Sequence, residues 1–183
     1  MKNPFFLNSM TAVILFLVSA CSNSNDQQDI NEEHNHPKQE ATESNVSQEI
    51  RINDPELNAV YQQYLILTEA LVDSDLTKAK IAAHTIEAGA ESLKNGGIIK
   101  STASKITTAS TIDDGRDAYT VLSNELISMV KKSGMEAGEI YVGYCPMAQN
   151  NQGGYWLSNK KSIQNPYYGE SMLTCGEVKE TIL

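Results

Sequence analysis

Four sulfur side chains crowd the end of this sequence. Cys145 and Met147 fall in YCPMA (144–148), and Met172 and Cys175 in MLTCG (172–176). The whole chain has only three cysteines and six methionines. Thiolate and thioether are soft donors and select Cu(I), Ag(I) or a similar ion over hard cations. Cys145, Cys175 and one or both of Met147 and Met172 would suffice as ligands, and C-x-M and M-x-x-C each gather two sulfurs on one short loop. Trp156 could stack over the ion as an aromatic lid, since ring faces attract cations. The competing reading is a Cys145–Cys175 disulfide. Closing a loop of about 30 residues, it would stabilise the fold by about 3–4 kcal/mol. Met147, Met172 and Trp156 would then be packing around the bridge. The residues alone leave both readings open.

Other chemistry finds less support. Zinc wants four tetrahedral ligands, and only Cys145 and Cys175 are evident. His84 lies off the apolar seam of its helix and reads as a solvated or partly packed side chain. There is no glycine-rich phosphate loop, no G-x-S-x-G and no H-E-x-x-H. A cysteine nucleophile would need His84 beside it, with nothing to orient the ring. No enzymatic activity is expected.

The first residues bear on the sulfur chemistry, because they set the compartment. Lys2, an apolar run and Leu17-Val18-Ser19-Ala20-Cys21 have the form of a secretory signal. The apolar run is short for a spanning helix. Val18–Cys21 resembles the bacterial lipobox, which implies cleavage before Cys21 and lipid on its thiol. Acyl chains contribute about 0.8 kcal/mol per buried methylene, so a multiply acylated cysteine holds to a membrane. The chain therefore reads as a cell-envelope lipoprotein, expected at the outer membrane with its domain outside the cytoplasm. With Cys21 taken, two cysteines remain, an even pair that an oxidising compartment tends to bridge.

Residues 22–49 are polar, acidic and almost free of apolar side chains, the composition of a disordered tether. His34 and His36 within it could hold an ion loosely and read more simply as solvated. The net charge is −9 at pH 7 and no basic cluster follows the signal. That argues against nucleic acid and against a polybasic membrane patch. The organisation is thus 1–20 signal peptide, 21–50 lipidated cysteine and tether, and 51–183 one domain.

The elements of that domain must position the sulfurs. Asp54-Pro55-Glu56 is a helix start, with Asp as N-cap and Pro in the first turn. Leu57, Val60, Tyr61, Tyr64, Leu65, Thr68, Leu71 and Val72 follow on one face. Asp73-Ser74-Asp75 ends this helix and caps the next. The second carries an alanine-rich seam, Leu76, Ala79, Ala83, Ile86, Ala90 and Leu93, that Gly96-Gly97 stops. Residues 98–111 suggest a short helix through Ile99, Ala103 and Ile106. From about 113, Ala118, Val121, Leu122, Leu126, Met129 and Val130 mark another, ending at Lys131-Lys132-Ser133-Gly134. Beyond it, EIYVGYC (139–145) and NNQGGYWLS (150–158) are β-prone and could pair as a hairpin, and Asn165-Pro166 begins a turn. The expected class is all-α: an antiparallel three- to four-helix bundle with an irregular C-terminal cap and at most a small hairpin.

The cap also resembles the C-terminal signature of a family of uncharacterised bacterial envelope domains. Its elements are Cys145-Pro146-Met147-Ala148, Trp156-Leu157-Ser158, Asn165-Pro166-Tyr167-Tyr168-Gly169, Met172-Leu173 and Cys175-Gly176. The helical part, with its alanine seam, is similar too. Some members carry histidine before the first cysteine, where this chain has Tyr144. The family occurs as stand-alone lipoproteins and fused to periplasmic adaptor subunits of heavy-metal efflux pumps. The resemblance implies a copper or silver efflux context and an adaptor subunit as partner. It implies no mechanism.

Overall fold

The computed structural model describes residues 49–183. The signal segment, Cys21 and the acidic tether lie outside the described residues, apart from the tether's last two positions. Helix α1 (Pro55–Val72) begins as its sequence dictates. The Asp54 carboxylate accepts the Leu57 amide at 2.9 Å, and Pro55 occupies the first turn, where its missing N–H costs nothing. The carboxylate of Asp75 in turn accepts the Lys78 amide and opens α2 (Leu76–Gly89). Ala79, Ala82, Ala83 and Ile86 are buried, and Gly89 comes close against Val60 of α1. Small side chains on this seam let the two backbones approach.

Helix α2 stops at Gly89, short of the Gly96-Gly97 expected from sequence. Ala90 and Leu93 are still buried, but in the turn that follows. Gly97 instead begins α3 (Gly97–Thr107), which buries Ile99, Ala103 and Ile106. The capping box of Thr111 and Asp114 starts α4 (Ile112–Ser133): each side chain accepts the other's backbone amide. Leu122, Leu126 and Val130 face the core and Met129 packs at its margin, but Val121 is 51% exposed. Each helix packs on the next, and α1 also meets α4.

The described domain is mainly helical but not all-α. Strand β1 (Arg51–Ile52) pairs antiparallel with β2 (Met135–Ala137), tying the entry of α1 to the exit of α4. Strands β3 (Ile140–Cys145), β4 (Gly154–Ser158) and β5 (Glu177–Ile182) form an antiparallel sheet of order β4-β3-β5. The β3–β4 hairpin is the one its sequence suggests. The other strands escape sequence reading for physical reasons. The strands β1 and β2 are too short to show a period, and β5, EVKETI, buries only Ile182. No helix of the described residues is long and apolar enough to cross a membrane.

Candidate functional site

The register of the cap sheet brings the two cysteines together. Cys145 ends β3, where its neighbour Tyr144 pairs with Glu177 at the start of β5. Cys175 stands two residues before Glu177, so the chain delivers it beside Cys145. Their sulfurs lie 3.7 Å apart as free thiols. Cys145 is fully buried and Cys175 half-buried. Hydrogen bonding to Cys145 pushes the Cys175 thiol above its ordinary pKa, with desolvation acting the same way. Both effects favour the neutral thiol of Cys175 over its thiolate.

The loop carrying Cys175 is built around Asn165, which is fully buried. Its Nδ2 donates to the Cys175 carbonyl at 2.8 Å, and its Oδ1 accepts the Tyr167 amide at 2.9 Å. Its own amide donates to the Leu173 carbonyl, and its carbonyl accepts the Gly169 amide. The short 3-10 turn Gly169–Met172 leads to Cys175, whose amide donates to the Met172 carbonyl at 3.0 Å. Next door, Pro166 is held from the bundle. The Arg116 guanidinium of α4 donates to the Pro166 carbonyl, the Leu71 carbonyl, Ser74 Oγ and Asp113 at 3.0–3.1 Å.

The thioethers are placed less tightly than the thiols. Met147 is 41% exposed; its carbonyl accepts the Tyr168 hydroxyl. Met172 is half-buried at the end of the 3-10 turn. Trp156 is buried, crossing the strand pair over Gly143, with the far edge of its ring against Gly176. The ring is thus buried beside the Cys175 loop. His84 is exposed on α2, which packs against α1 and α3. Among the described residues no group of three or more His, Cys, Asp and Glu could hold a metal ion. The sulfurs would have to supply the ligands.

Sequence reasoning missed Asn165 and Arg116 as supports. Arg116 could have been found, because it falls in the apolar stripe of α4, four residues after Ile112 and three before Tyr119. A charged residue there must find acceptors. Asn165 gives no such sign, since Asn-Pro is ordinary turn sequence.

Neither a curated protein nor a solved structure matches this chain. Residues 60–138, which hold most of α1 and all of α2, α3 and α4 but end before the cysteines, match the family model described as a protein of unknown function, DUF3347.

Proposed function

We propose that this chain is an envelope lipoprotein that binds one soft monovalent ion, Cu(I) or Ag(I), between Cys145 and Cys175. Met147 and Met172 serve as auxiliary donors, and the module carries or senses the ion for a heavy-metal efflux system. The observation behind this reading is the 3.7 Å gap between the two sulfurs. A thiolate–metal bond is about 2.3 Å long, so two sulfurs sharing an ion at tetrahedral to trigonal angles stand ~3.8–4.0 Å apart. The pair needs little movement to fit. Cys175 is only half-buried, which leaves one sulfur of the pair open to an incoming ion. Lipid on Cys21 and an efflux adaptor as partner follow from the sequence resemblances and belong to the same proposal.

The test is native mass spectrometry of the reduced mature chain titrated with Ag(I), and with Cu(I) against a competing chelator. One ion per chain is expected, abolished by Cys145→Ser with Cys175→Ser. Replacing Met147 and Met172 by leucine should weaken binding by about tenfold, ~1.4 kcal/mol. Unchanged affinity without the cysteines would refute the reading. The same sulfur gap also suits a second one, a disulfide-stapled module that docks on an envelope protein without metal. A chain two hydrogens light that binds no ion even after reduction would establish that alternative.

A further inference from the structure

We infer that Asn165 is a positioning residue for the dithiol, and that Arg116 anchors it to the helical bundle. The inference rests on the Cys145/Cys175 pair proposed above as the working site. Cys145 is fixed by its place at the end of β3, where it pairs with Gly154 of β4 and its neighbour Tyr144 pairs with Glu177 of β5. Cys175 has no such support, because it precedes β5 in a loop. Its carbonyl is instead held by Asn165 Nδ2 at 2.8 Å. Asn165 in turn cannot drift. All of its polar groups are used within the loop, and it is fully buried.

The next residue carries the link onward. The Pro166 carbonyl accepts from Arg116 Nε at 3.0 Å, and the same guanidinium holds the C-terminal end of α1 through the Leu71 carbonyl and Ser74. Hydrogen bonds on either side of the Asn165–Pro166 peptide link therefore join the α1–α2 corner to the loop of Cys175. Proline has no amide to offer, so its carbonyl is that residue's only backbone handle. The helices that match the family model thus help to set the spacing of two sulfurs lying outside the match.

The spacing of two thiols is measured by how readily they oxidise together. With glutathione, the pair's two S–H bonds break and an S–S bond forms. The two electrons reduce glutathione disulfide, which takes up both protons to become two glutathione molecules. The full chain is equilibrated at graded glutathione ratios, quenched and weighed. In Asn165→Ala the balance should move toward the dithiol by about tenfold, ~30 mV for this two-electron couple. Arg116→Met should move it the same way by less. Asp54→Ala is the control: it removes the cap that opens α1, at the end of the helix opposite Leu71, and should lower stability without moving the balance.

An Asn165→Ala chain that is folded and shifts no more than Asp54→Ala would overturn the inference. If that variant loses its near-ultraviolet dichroism, Asn165→Asp is read in its place. It keeps the shape and the acceptor for Tyr167 and, when ionised, turns the donor to Cys175 into an oxygen that repels its carbonyl. An unshifted balance in Asn165→Asp, or a parent chain that never oxidises, would also overturn it. None of these readings needs an ion, so failure of the metal proposal and failure of this one appear in different experiments.

Discussion

The two cysteines are chemically unequal although they touch. Cys145 is fully buried at the end of a paired strand, and Cys175 is half-buried in the loop. The Cys175 thiol is held above its ordinary pKa first by its hydrogen bond with Cys145. Only the thiolate is an effective nucleophile or ligand. Two consequences can be measured by alkylation of the reduced chain followed by peptide mapping. Cys175 should be modified first, with Cys145 slower by about a hundredfold or more, because a reagent reaches it only through local opening. Removing the hydrogen-bond partner in Cys145→Ala should bring the Cys175 thiol down and speed its reaction near pH 8. Equal rates at the two positions would contradict the burial. A Cys175 rate unmoved by Cys145→Ala would contradict the pairing. The cysteine pair itself could be expected from residue type and even number in the compartment that the signal-like start suggests. That Cys175 depends on Asn165 could not, because it turns on where a backbone carbonyl comes to rest.

At the scale of elements, legibility followed the strength of local signals. The helix starts at Asp54 and Asp75 could be read because a cap acts within three residues of itself. The β3–β4 hairpin could be read from composition, but not its register. The connection runs through residues 146–153, with positive φ at Gln149, Asn150, Asn151 and Gly153. A two-residue turn would have fixed the pairing, and this longer one leaves it to packing. The packing that decides it is Gly143 opposite Trp156. A Cβ at Gly143 would overlap the indole, with Trp156 Cζ2 only 2.5 Å away. Gly143→Ala must therefore push the ring off β3. Overpacking of this kind costs about 1–3 kcal/mol. Chemical denaturation should show that loss, and tryptophan emission should shift to the red as the ring meets water. A variant with parental stability and emission would mean that the indole does not rest on Gly143.

For the molecule as a whole, the question is whether cap and bundle are one cooperative unit. Four buried tyrosines join them. Tyr61 and Tyr64 come from α1, Tyr119 from α4 and Tyr167 from the cap, with Tyr64 and Tyr119 stacked at 5.3 Å and Tyr167 edge-on to Tyr119 at 5.7 Å. The Tyr64 hydroxyl accepts from Tyr119 and from the Leu157 amide of β4, so the sheet hangs on a helix side chain. Apolar periodicity predicted that Tyr61 and Tyr64 would be inside. It could not show that the Tyr64 hydroxyl would meet partners from both α4 and β4. Burial is the first cause holding all four phenols above their usual pKa. The sign for stability follows by linkage. In the unfolded chain these groups lose protons near pH 10, while the folded chain keeps them. The folded state then binds more protons, so its stability is intact below about pH 10 and falls above it. Each such phenol contributes a slope of up to about 1.4 kcal/mol per pH unit, and the four together up to ~5. The phenols should therefore ionise together, in one sharp transition at which near-ultraviolet dichroism is lost from cap and bundle alike. Tyr61→Phe is the check on the count. Its hydroxyl is the one buried side-chain polar atom without a partner among the described residues, so its removal should cost little at neutral pH. It should reduce the alkaline slope by about a quarter. Two separate transitions, one for tyrosine ionisation and one for unfolding, would mean that the cap opens before the bundle and that the cluster does not couple them.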